Sequence, residues 1–118
     1  MSRFDVTALV VAKAPVPGLA KTRLAATVGD RAAADIAAAA LLDTLDAVAA
    51  TPVAARVVAM TGDLDVASSA DEIRARLSAF VVIDQRGDGL AERLANAHAD
   101  AVAATGDRPV LQLSLIHI

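Results

Sequence analysis

Four short apolar runs, separated by stretches of helical spacing, constrain the fold of this chain more than any other feature. "TALVVA" (7–12), "ARVVAM" (55–60), "AFVVID" (79–84) and "RPVLQL" (108–113) are short runs rich in valine, leucine and isoleucine. The first is a continuous apolar run of the kind seen in strands buried on both faces, and the second reads as another buried strand. Between the runs the spacing is helical. Ile36, Ala40, Leu41, Leu45 and Val48 mark a face within 31–50, and Val66, Ala70, Ile73 and Leu77 mark a second. Leu90, Leu94, Ala97, Ala101 and Val102 mark a third. Thr51-Pro52 stops the first helix and Gly106 ends the third. The order β-α-β-α-β-α-β predicts an α/β fold with a mostly parallel sheet, right-handed crossovers and helices on both faces. Ligands of such sheets bind beyond the carboxyl ends of the strands, which places loops 13–22, 61–64 and 85–89 on one edge.

A length of 118 residues suggests one domain or part of one. The chain is 56% hydrophobic but only 2% aromatic, so its core is built from Val, Leu, Ile and Ala. The net charge of −3 argues against a nucleic-acid polymer as partner. The charge is uneven: residues 1–29 hold Arg3, Lys13, Lys21 and Arg23 against Asp5 alone, and the acidic surplus lies in the rest. A local cationic segment on an acidic chain points to a small anionic ligand. Cysteine is absent, which excludes disulfides and thiolate metal sites. The start "MSRFDVTALVVAK" mimics a short signal peptide, but Asp5 interrupts it, and Lys13 and two prolines follow. Asp35, Asp43 and Asp46 exclude a membrane span in the alanine-rich run 32–50. A cytoplasmic protein is the expectation.

Lys13 and Lys21 are the only lysines, against nine arginines, and both lie in one Pro/Gly stretch, "AKAPVPGLAKTRLA" (12–25). Pro15 and Pro17 stiffen the loop, and Gly18 permits a tight turn. Lys21, Thr22 and Arg23 fall at the start of the next helix, where free N–H groups and the helix dipole favour an anion. Lysine supplies a point charge and arginine a bidentate fork, together a cradle for a di- or triphosphate. A stiff surface turn with solvated charges is the alternative. The phosphate-loop pattern G-x-x-x-x-G-K-[ST] fails, because its two glycine positions are Pro15 and Ala20. The dinucleotide pattern G-x-G-x-x-G is also absent after the first strand. In "QRGDG" (85–89), Asp88 could cap the third helix, and Arg93 could face solvent or pair with Asp100. Asp63 or Thr61 reads as a helix cap. His98 reads as a boundary residue, with no neighbouring ligand for a metal role.

The 12–25 loop resembles the pattern A-K-x-P-x-P-G-x-x-K-T-R-L of bacterial GT-A-like glycosyltransferases formerly grouped as a domain of unknown function. These are relatives of the nucleotide-diphosphosugar transferases. "QRGDGLAERLANAHADA" (85–101) resembles the same family's Q-x-G-x-G-L-x-x-R-L-x-x-A segment. The resemblance implies a Rossmann-like three-layer α/β/α domain with a mostly parallel sheet, here truncated after about four strands. It implies a nucleotide-sugar or nucleoside triphosphate as partner. Lys13, Gly18, Lys21 and Arg23 would surround the phosphates; Gln85, Gly87, Gly89 and Arg93 would line the same edge. No catalytic residue is assigned. The implied activity is glycosyl transfer. The alternatives are nucleotidyl transfer onto a phosphorylated small molecule, or nucleotide binding without catalysis.

Such proteins follow the fourth strand with an acidic segment resembling G-x-D-x-P, where an aspartate would hold Mg²⁺ or Mn²⁺. This chain reads "RPVLQLSLIHI" instead, with no Asp or Glu after Asp107. The expectation is therefore a nucleotide-binding part over 1–112 that holds no metal and does not turn over. The tail "LSLIHI" (113–118) resembles one frame of a common sequencing adapter and reads as non-native. The alternation of Leu111, Leu113 and Leu115 also permits a strand. A sheet ending there would expose an apolar edge.

Overall fold

Strand β1 (Phe4–Lys13) runs through the middle of the molecule, and the other elements are arranged around it. The computed structural model describes residues 3–114. β2 (Val53–Thr61), β3 (Val81–Asp84) and β4 (Val110–Ser114) complete a four-stranded sheet of order β3-β2-β1-β4. Every pair is parallel, with Val10 opposite Val58 on one side and Leu113 on the other. The expected α/β fold with a parallel sheet is thus present. Helices α1 (Thr22–Val28), α2 (Asp30–Ala49), α3 (Ala70–Leu77) and α4 (Leu90–Thr105) make the crossovers. The path from β1 to β2 to β3 moves one way across the sheet, and the path from β3 to β4 moves back. Right-handed crossovers then require α2 and α3 on one face and α4 on the other.

The side chains of β1 follow this division. Ala8, Val10 and Ala12 pack with Leu41, Leu45 and Val48 of α2 and with Ile73 and Leu77 of α3. Leu9 packs on the opposite face with Val57, Ala59, Ala97 and Ala101. Leu9, Leu41, Leu45 and Ile73 are fully buried, each stabilising by about 1.5–3 kcal/mol. Alanines at the α2 and α4 contacts let helix and sheet approach closely, which explains a core almost without aromatics.

Several expectations are corrected. The first crossover is two helices, not one, broken at Gly29 with φ 93°. The core face of α2 is Ala33, Ala34, Ala37, Ala38, Leu41, Leu45 and Val48, while Ile36 is 46% exposed and Ala40 lies outside. The second helix begins at Ala70, because Ser69 adopts a left-handed conformation (φ 55°, ψ 34°) and ends the preceding segment. Val66 consequently sits exposed in a separate 3-10 helix, Leu64–Val66, capped by Asp63 as expected through Oδ1 to the Asp65 N–H. Leu90, the first residue of α4, is exposed. Gly106 ends α4 as expected. The sheet is not covered evenly, since Val81 and Val82 on β3 and Leu111 and Leu113 on β4 remain exposed. β4 includes Leu113 and Ser114, paired to Val10 and Val11; the rest of the "LSLIHI" tail, 115–118, lies outside the described residues. Among the described residues no helix is long and apolar enough to cross a membrane.

Candidate functional site

Because the strands are parallel, Lys13, Thr61 and Asp84 end β1, β2 and β3 on one edge. The three loops expected there do share it. The order 3-2-1-4 reverses between β1 and β4, and in open α/β sheets the binding crevice lies at such a reversal. The loop leaving β1 is the Pro/Gly stretch.

That loop is ordered by its own backbone. The Ala14 N–H donates to Thr61 O at 2.8 Å, carrying the β1–β2 pairing past the strand end. Ala14, Pro15 and Ala20 are buried and anchor the loop from below. The Leu19 and Ala20 N–H groups both donate to Val16 O, at 2.9 and 3.0 Å. The loop following β2 supports it, with the Ser68 N–H on Pro15 O at 2.9 Å. Gly18 has φ 88°, a conformation open to glycine.

The cations differ in their engagement. Lys13 Nζ donates to Leu19 O at 2.6 Å and so ties the two ends of its own loop. Lys21 is the N-cap residue of α1 and is left-handed, with φ 46° and ψ 55°. A non-glycine residue in that region carries strain of about 1–2 kcal/mol, and such strain concentrates at functional sites. Arg23 is exposed on α1. Among the described residues neither Lys21 nor Arg23 forms an ion pair or side-chain hydrogen bond. Lys13 at the end of β1, Gly18 in the loop, and Lys21 and Arg23 at the start of α1 thus lie within one short stretch, and Lys21 and Arg23 are unpaired among the described residues.

The second set is arranged differently. The Gly87 backbone has φ 126°, and a Cβ there would lie 2.8 Å from Glu92 Cγ and 3.1 Å from the Arg93 nitrogen. Gly87 therefore permits the turn to close against α4. Gly89 is the N-cap and no side chain caps the helix, which corrects the reading of Asp88 as a cap. Arg86, not Arg93, pairs with Asp100, through two hydrogen bonds of 2.7 and 2.8 Å. That guanidinium holds the Asp100 carboxyl below its ordinary range, while Asp100 raises Arg86. Asn96 Nδ2 donates to Arg86 O at 2.8 Å and closes the turn. Arg93 Nε is buried without a hydrogen-bond partner. Gln85 does not project towards a ligand through its amide nitrogen; Nε2 donates to Ala12 O at 2.9 Å and to Ala59 O at 3.0 Å. The sequence marked Asp100 as an arginine's partner but not Arg86 as that arginine, and it gave no signal for Asn96 beyond the "QRGDG" turn.

His98 is partly covered at the α4–β4 contact, as a boundary residue would be. Its Nε2 lies 2.6 Å from Gln112 Oε1, and Gln112 Nε2 donates to Ser114 Oγ at 2.8 Å. A divalent ion needs several hard oxygen donors. Among the described residues no group of three or more His, Asp or Glu side chains comes together, so these residues alone do not fit such an ion.

Residues 44–114 match the family model described as "Uncharacterized protein conserved in bacteria (DUF2064)". That span includes the 85–101 segment and excludes the Pro/Gly loop. No curated protein matches the chain. A solved structure from Desulfovibrio desulfuricans G20, described as "putative nucleotide-diphospho-sugar transferase", superposes with a TM-score of 0.69 at 28% identity. The match covers 97% of this chain and 47% of that one, so the chain spans about half the length of its solved neighbour. The chain belongs to the DUF2064 family of bacterial proteins, and with it to the nucleotide-diphosphosugar transferase superfamily.

Proposed function

We propose that this chain binds the diphosphate of a nucleotide-sugar and forms the nucleotide-holding part of a glycosyltransferase-like protein. The observation that carries the reading is the loop after β1. It stands at the β1–β4 reversal, is fixed by its own hydrogen bonds, and leaves Lys21 and Arg23 unpaired. A diphosphate would take Lys21 as a point charge and Arg23 as a fork, with Lys13 held behind them by Leu19 O. The description of the solved neighbour supports the nucleotide-sugar as ligand class. The reading for this chain is nucleotide binding; the transfer step is not assigned to its residues.

Calorimetric titration of the 118-residue chain with UDP, GDP and their glucose conjugates tests the reading. Saturable binding that weakens about tenfold in Arg23→Ala is expected. No binding to any of the four would overturn it. Pyrophosphate release from a nucleoside triphosphate in the presence of a sugar phosphate would favour nucleotidyl transfer instead.

A further inference from the structure

Among the described hydrogen bonds, one side chain joins the β3–α4 turn to the end of β1. The Gln85 N–H donates to Met60 O at 3.0 Å, so the backbone runs beside β2 one residue past β3. Its Nε2 bridges Ala12 O on β1 and Ala59 O on β2, at 2.9 and 3.0 Å. Both partners are carbonyl oxygens, which can only accept. The amide orientation is therefore fixed and both Nε2 protons are engaged.

We propose that Gln85 is a positioning residue that sets the 14–21 loop. Its place in that loop's function rests on the nucleotide reading above. Ala12 O belongs to the peptide bond that carries the Lys13 nitrogen, one residue before the loop. Lys13 Nζ holds Leu19 O at 2.6 Å, and the Ala14 N–H holds Thr61 O at 2.8 Å. The tie at Ala12 thus lies directly beneath the two contacts that close the loop. Gln85 is itself anchored from the other side. The next residue, Arg86, is clamped to Asp100, and its carbonyl accepts from Asn96. The chain of contacts runs from α4 through Gln85 to Lys13 and on to the residues before Lys21. The resemblance places Gln85 beside the nucleotide; the geometry gives its amide nitrogen to the sheet. Its influence on a ligand passes through the loop.

The test combines amide hydrogen exchange with UDP titration in the full chain, comparing wild type with Gln85→Met, which keeps length and removes both donors. Exchange at Leu19 and Ala20 is expected to quicken roughly tenfold, as for the loss of two modest hydrogen bonds, while amides in the middle of α2 stay unchanged. UDP affinity is expected to fall by about the same factor. Unchanged exchange at Leu19 and Ala20 overturns the proposal. Weaker UDP binding with unchanged loop exchange also overturns it, and makes Gln85 a direct ligand contact. Faster loop exchange in a chain whose wild type binds no UDP upholds the positioning role and defeats the nucleotide reading alone. Should Gln85→Met fail to fold, Gln85→Asn, too short to reach both carbonyls, takes its place with the same readings.

Discussion

The two loops at the strand-end edge are built on opposite plans. The 14–21 loop is closed by backbone hydrogen bonds and by one ammonium, Lys13, on its own carbonyl. The 85–89 turn is closed by side chains from α4, through Arg86–Asp100 and Asn96–Arg86 O, with Gly87 pressed against the helix. The second turn uses its arginine for structure. The first leaves Lys21, and Arg23 just beyond it on α1, without partners among the described residues. Cations that hold a turn together are poorly placed to hold a ligand, so on the proposed reading the first loop faces the ligand and the second supports it.

Substitutions at the glycines sharpen that contrast most. Gly87→Ala meets both a positive φ and a Cβ contact of 3.1 Å with backbone; a loss of about 1–3 kcal/mol in urea unfolding is expected. Gly18→Ala meets the same kind of φ but only an ordinary contact of 3.6 Å with Asp30 Oδ2. Its cost is expected at about 1 kcal/mol. Equal losses at the two positions would break the distinction between them.

Much of this architecture is legible in the residues. The unbroken run around β1 and the returning helical spacing lead directly to a parallel sheet with helices on both faces. The break between α1 and α2 had a local signal in Val28-Gly29-Asp30, a glycine end followed by an acidic first turn. It was hidden by the alanine background on both sides. Ile36 misled because side-chain size drew attention away from the alanines that form the buried face. The role of Gln85 was not legible at all, since it depends on a carbonyl 73 residues away in sequence. Nor does residue type tell which of Arg86 and Arg93 pairs with Asp100; the structure gives the pair to Arg86 and leaves Arg93 Nε buried without a partner.

Smaller effects probe the ties themselves. Lys13→Met removes the bond to Leu19 O, and a loss of about 0.5–1 kcal/mol is expected for an exposed contact. Its signature would be faster exchange at Leu19 with little change in the 85–89 turn. Asp100→Asn is expected to have the smallest effect. The Asp100 carboxyl is held below its ordinary range by Arg86. Its contribution is therefore present above that range and lost as pH falls through the folded value. Acid unfolding below about pH 4 should show this component in wild type and not in Asp100→Asn.

Lys21→Gly tests the central claim most directly, read by thermal unfolding and UDP titration on the same sample. Glycine accepts the φ of 46° and ψ of 55° at this position without a Cβ penalty, and a gain of about 0.5–1 kcal/mol in stability is expected. UDP affinity is expected to fall about tenfold with the lost ammonium. Greater stability with weaker binding is the result expected of a strained residue kept for a ligand. Greater stability with unchanged affinity would make the loop a surface turn and contradict the account.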